Sequence, residues 1–140
     1  MQIIFIKNNP LILSTWSHGI PANDAAWYTL ENNGSPMDAA EAGARVPEAD
    51  PTITSVGFGG LPDEQGNVTL DSCVMDHTGN CGSVAFLQNI MHPVSVARKV
   101  MEETKHVMLV GEGARQFAVS QGFKEIDLLT DESRISWKEW

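Results

Sequence analysis

Two periods govern where apolar residues fall in this chain, and each change of period marks an element. Val68, Leu70, Ser72 and Val74 alternate with Thr69, Asp71, Cys73 and Met75. A period of two is what a strand with distinct faces requires, because successive side chains leave the backbone on opposite sides. His77-Thr78-Gly79-Asn80 is turn chemistry, and Gly82-Ser83-Val84-Ala85-Phe86-Leu87 returns as the second strand of a predicted hairpin. Leu11-Ile12-Leu13-Ser14-Thr15, after Pro10, predicts a short buried strand, and Val107-Met108-Leu109-Val110 predicts another.

Elsewhere the spacing is helical. Asn23 or Asp24 caps a predicted helix carrying Ala25, Ala26, Trp27 and Leu30, with Gly34 as its stop. Ser35-Pro36-Met37-Asp38 opens a second: serine at the cap, proline in the first turn, an acid three residues after the cap. Its small face (Ala39, Ala40, Gly43, Ala44) predicts close packing on another element, and Pro47 is expected to end it. Pro93 opens a helix through Val94, Ala97, Val100 and Met101. Gly111-Glu112-Gly113 reads as a turn leading into a helix that ends near Gly122, and Thr130 caps a last one bearing Ile135, Trp137 and Trp140. Helices on both sides of a hairpin-containing sheet predict a layered α/β architecture.

Before the hairpin lies Ser55-Val56-Gly57-Phe58-Gly59-Gly60-Leu61-Pro62-Asp63-Glu64, followed closely by Gly66. Glycine loses more chain entropy on folding than other residues, so this cluster predicts tight turns or close backbone approach. With 140 residues, 42% of them hydrophobic, and seven prolines, the chain is expected to form one globular domain with a real core. Nine basic against eighteen acidic residues give a net charge of −9, with no basic cluster. Nucleic acid and anionic membrane are therefore poor partners, since phosphate contacts need grouped Lys and Arg. No apolar run is long enough to span a bilayer. The start, Met1-Gln2-Ile3-Ile4-Phe5-Ile6-Lys7, is too short in its apolar run for a signal-peptide core, and the compartment stays open.

Few residues suggest chemistry by themselves. His18, His77, His92 and His106 lie far apart with no two-residue ligand spacing, and His106 reads as a helix-end cation. Two cysteines, Cys73 and Cys81, without a matching histidine pair give no metal site; they are expected as buried free thiols, a disulfide being the alternative. Gly111-Glu112-Gly113-Ala114 lacks the full dinucleotide fingerprint, so no cofactor is expected. No Gly-x-Ser-x-Gly elbow is present, and neither cysteine has an electropositive setting. On motif chemistry alone the chain has no nucleophile.

Several motifs in register nevertheless resemble one family. Pro10 to Trp16, Asn23-Asp24-Ala25-Ala26-Trp27 and Met37 to Gly43 look like the start of glycosylasparaginase. Ser55 to Gly60 with Pro62-Asp63, Leu70 to Asp76, Val96 to Met101 and His106 to Gly111 continue it in the same order. This resemblance, from Pro10 to Trp140, implies an N-terminal nucleophile hydrolase with a four-layer α-β-β-α sandwich. A precursor of that kind cleaves itself into α and β subunits and exposes a threonine at the start of β. That threonine normally follows a His-Asp pair, absent from this sequence, so residues 1–140 are expected to be the α subunit, contributing half the sandwich. No catalytic residue is expected on this chain. The closing amphipathic helix, lacking a stop signal, fits a chain cut in mid-path.

The implied reaction is hydrolysis of the amide between N-acetylglucosamine and an asparagine side chain. The implied partners are a β subunit from the same precursor, in an (αβ)2 heterotetramer, and a small glycosylated asparagine as substrate. Trp16 matches the tryptophan bordering the family's substrate pocket, and Ser55 a serine beside the nucleophile. His18 stands where relatives tend to carry an aromatic ring and is expected at the pocket rim, where its imidazole offers a polar edge. Family habit leans towards a periplasmic or lysosome-like compartment. Two alternatives are kept. The plant-type asparaginase/isoaspartyl peptidase branch opens with a His-Gly-Gly-Ala-Gly-like segment where this chain has Ser14-Thr15-Trp16-Ser17-His18-Gly19, so Trp16 disfavours it. A non-catalytic α/β domain gripping a ligand through its glycine loop would instead be a stable folded monomer.

Overall fold

A computed structural model describes residues 10–139; the run Met1–Lys7 and Trp140, both singled out above, lie outside the described residues. The elements are α1 (Gly19–Glu31), α2 (Pro36–Ala49), β1 (Thr69–Met75), β2 (Cys81–Gln88), α3 (Pro93–Glu103), β3 (Leu109–Val110), α4 (Gly111–Ser120) and α5 (Asp131–Glu139). The arrangement is α+β.

Helix α2 begins as its sequence demands. The Asp38 amide donates to Ser35 Oγ at 3.1 Å, while the Ser35 amide donates to the Asp38 carboxylate at 2.8 Å, a complete capping box. Pro47 does not end this helix. The ring lies in the last turn and the helix runs on to Ala49, losing only the one backbone donor that proline lacks. Helix α1 starts earlier than Asn23, at Gly19, with Pro21 in the first turn where no amide donor is needed. Its stop is made by Asn33, not Gly34. Asn33 is left-handed at φ 66°, its amide donates to Leu30 O at 3.1 Å, and the Gly34 amide donates to Thr29 O at 2.9 Å. The small face of α2 meets α1 as expected: a Cβ on Gly43 would lie 2.9 Å from Ala22 O.

Strands β1 and β2 form the antiparallel hairpin, and β3 joins β2 in parallel, giving the order β1-β2-β3. Alternation holds through β1, where Leu70 and Val74 are buried and Asp71, Cys73 and Met75 are exposed. The ladder slips between Leu70 and Ser72, where β2 carries one extra residue. Phe86 takes up that bulge at φ 53°, and its amide donates to Asp71 Oδ1 at 2.8 Å. The predicted strand at Val107–Val110 shrinks to Leu109–Val110.

Helices α3 and α4 pack against the sheet. Val74, Val84, Leu87, Val96, Ala97, Val100, Ala114 and Ala118 form the main core. A second cluster of Val68, Leu70 and Leu128 lies under the glycine loop, with Phe58 and Ile126 against it. Among the described residues nothing covers the opposite sheet face, and helices do not enclose the sheet on both sides: Met75 is 66% and Val110 55% exposed.

Two further expectations differ from the structure. Leu11–Thr15 forms no strand, and Leu11 and Leu13 are exposed rather than buried. A strand exists only through its ladder, and among the described residues this segment has no ladder partner. Cys73 and Cys81 are free, but Cys73 is exposed and Cys81 only half-buried. Cys73 opposes Ser83 and Cys81 opposes Met75, which makes the thiols diagonal neighbours on the uncovered face. Diagonal pairs stand about 7–8 Å apart, beyond the reach of a disulfide.

Candidate functional site

The glycine loop is held from both ends by backbone. The Phe58 amide donates to Glu48 O at 2.8 Å, the Gly59 amide to Leu128 O at 2.8 Å, and the Leu61 amide to Thr54 O at 2.8 Å. Ser133, fully buried at the start of α5, donates its hydroxyl to Gly59 O. Glycine is required where the loop passes α2: Gly57 has φ 56°, and a Cβ there would stand 1.9 Å from Glu48 O. Ser55 sits in this loop, exposed to solvent.

Trp16 and His18 lie together on a different surface. They line a groove of about 370 Å³ formed by the segment before α1 and the small faces of α1 and α2, with Asn23, Gly43 and Pro47. Trp16 is 74% exposed, and its carbonyl accepts the Gly19 amide at 2.8 Å in the turn that starts α1. His18 occupies the cap position of α1 but makes no side-chain cap bond, so its half-buried imidazole faces no capping duty. Ser55 is not part of the lining of that groove. Two of the three expected site residues thus share one groove, and the third stands on the anchored loop.

The most unusual charged group is one that sequence reasoning passed over. Glu48, 5% exposed, lies in the last turn of α2. Its carboxylate takes a hydrogen bond from the Val94 amide at 3.0 Å and pairs with His92 Nδ1 at 3.0 Å, both at the N-terminus of α3. Burial raises its carboxyl pKa above the ordinary 4.5, and the His92 and Val94 bonds, with Arg45, pull only part of the way back. One signal was available: an acid in the last turn of a helix opposes the macrodipole and needs another partner. His106, read as a helix-end cation, lies beyond the Thr104 cap of α3 and is exposed. Among the described residues no three His, Cys, Asp or Glu gather as metal ligands, and no helix is long and apolar enough to cross a membrane.

Arg98 organises the other polar cluster. It reaches Asp38 and Glu41 on α2 at 2.7 Å each and Glu102 at 2.6 Å, tying α2 to α3. These are partly exposed ion pairs with a fixing role.

Similarity to known proteins covers nearly all of this chain. The asparaginase family profile matches residues 20–140. The N(4)-(beta-N-acetylglucosaminyl)-L-asparaginase of Elizabethkingia miricola is 57% identical over 133 residues, which are 95% of this chain and 39% of that protein. The proteins of the same name from Rattus norvegicus and Mus musculus are 46% and 45% identical, over 94% of this chain and 38% of each. The chain therefore spans about two-fifths of the length of the curated relatives it matches. With a profile that begins inside α1 and runs to the last residue, this chain belongs to the asparaginase family.

Proposed function

We propose that this chain is the α subunit of an amidohydrolase that cleaves the bond between N-acetylglucosamine and an asparagine side chain. The observation that carries this reading is the 57% identity, over 95% of the chain, to a protein named for that reaction. In this reading residues 1–140 form a single domain, and the missing majority of the relatives' length supplies a β subunit. The bare sheet face, with Met75 and Val110 exposed, supports a second sheet packed on it to complete a four-layer sandwich. Two such αβ units pair in the assembled enzyme.

The nucleophile is a threonine at the start of the β subunit. Its own α-amine, which titrates near ~8, takes the hydroxyl proton as the oxygen attacks the side-chain carbonyl of asparagine. The C–N bond breaks, the glycosylamine leaves with the proton, and a β-aspartyl ester remains. Water then attacks the ester and releases aspartate. Trp16 borders the substrate pocket, and His18 stands at its rim on the sugar side. Ser55 stands beside the threonine and supports its hydroxyl or amine by a hydrogen bond.

The test is to isolate the native protein, determine the N-terminus of any chain that accompanies this one, and assay three substrates. A second chain beginning with threonine, and hydrolysis of glycosylated asparagine ahead of free asparagine and β-aspartyl dipeptides, is the expected result. A folded monomer that accompanies nothing and hydrolyses none of the three overturns the reading. Preference for the β-aspartyl dipeptide would move the enzyme to the plant-type branch.

A further inference from the structure

Glu48 joins three parts of the molecule through one residue. Its main-chain oxygen accepts the Phe58 amide at 2.8 Å, and Gly57 passes so close that a Cβ would meet the same oxygen. Its side chain reaches the other way, to the Val94 amide and His92 at the head of α3. A carboxylate this deeply buried is tolerated only with such partners, so it is committed to one rotamer and one place. The end of α2, and with it the anchor of the glycine loop, is thereby tied to α3. Ser55 lies between the two points where this loop is fixed, Ile53 with its amide on Asp50 O at 3.0 Å and Phe58 on Glu48 O. Asp50 is itself held in shape by the Thr52 amide on its carboxylate at 2.9 Å.

We infer that Glu48, pinned by His92 and Val94, is a positioning residue for the proposed hydrolysis, fixing the loop that presents Ser55 to the nucleophile. This rests on the function proposed above. Glu48 touches no substrate; it acts through the loop backbone, and a misplaced supporting group costs turnover more than binding.

The experiment uses the full-length protein, this chain together with the rest of its polypeptide. Ser55→Ala, Glu48→Ala, their combination, Glu48→Gln and His92→Ala are compared in kcat, KM and amide hydrogen exchange. Ser55→Ala and Glu48→Ala are each expected to lower kcat by about 10- to 100-fold with KM within about two-fold. The combined variant is expected to be no slower than Ser55→Ala alone, because Glu48 has nothing left to position. Glu48→Gln, which keeps an acceptor for the Val94 amide, recovers most of the rate. Exchange at Phe58 and Gly59 quickens in Glu48→Ala and His92→Ala while the amides of α4 stay as they were. Losses that multiply in the combined variant, or unchanged exchange at Phe58, overturn the inference. If Glu48→Ala does not fold, His92→Ala decides by the same two readouts. If the unaltered protein hydrolyses no glycosylated asparagine, the proposed function fails, and the exchange measurement still decides whether Glu48 holds the loop.

Discussion

At Gly57 the backbone leaves no alternative residue. Its φ of 56° lies in the left-handed region, and the nearest atom to an added Cβ is a carbonyl oxygen that cannot swing away. Gly57→Ala is expected to cost at least about 2 kcal/mol, read as a lower urea midpoint at unchanged m-value. Glu48 gives a prediction in pH. Burial raises its folded carboxyl pKa, so the folded state holds the proton more tightly than the unfolded state does. The stability linked to that proton is full below the ordinary value of 4.5 and is lost as pH rises through the raised value. Glutamine carries no such dependence. The stability of Glu48→Gln relative to wild type should therefore climb across that window and level off above it, measured by urea titrations from about pH 4 to about pH 8. A pH-independent difference would contradict this. Trp16, Ser55 and His18 are proposed as site residues because their neighbours in the chain carry a family pattern; the fold gathers only Trp16 and His18 in one groove. Glu48 was not legible in the sequence, since a buried carboxylate gains its partners only when α2 and α3 meet, and His92 lies 44 residues away.

Local chemistry set the elements where neighbours in sequence are neighbours in space. The capping box of α2 is complete within four residues, and the β1 alternation and the proline-led start of α3 needed no distant contact. Ser35→Ala is expected to cost about 1 kcal/mol, seen in thermal or urea unfolding. Asp38 adds a pH signature to the same cap. Its pKa is lowered to about 2, chiefly by the Ser35 hydroxyl and amide and then by Arg98. A lowered folded pKa contributes stability above the ordinary 3.8 that is lost as pH falls through about 2. The destabilisation produced by Asp38→Asn should thus shrink through that acid range, and persistence of the full difference there would argue against the cap as its source. Elements that depend on distant pairing were misjudged. Leu11–Thr15 has strand composition but no ladder partner among the described residues, and β3 is only as long as its pairing with Val84 and Ala85. The α1 terminus was misplaced for a subtler reason: asparagine is one of the few residues besides glycine that accept the left-handed conformation, so Asn33 ended the helix one residue before Gly34.

At the scale of the molecule, helices among the described residues cover one face of the sheet and leave the other with exposed apolar side chains. A chain with such a face is prone to self-association when alone, and Val110→Lys should make it more soluble while weakening assembly with the proposed β subunit. Light scattering of the isolated chain and co-purification of the pair check the two halves of that statement. The diagonal offset of Cys73 and Cys81 has a practical corollary. Because neither thiol can be consumed by the other, the sulfur of Cys73 remains open to a maleimide on the face that assembly would close. Alkylation should be rapid on the isolated chain and slow after association, so an atom with no part in the chemistry becomes a gauge of subunit docking that reads out in real time.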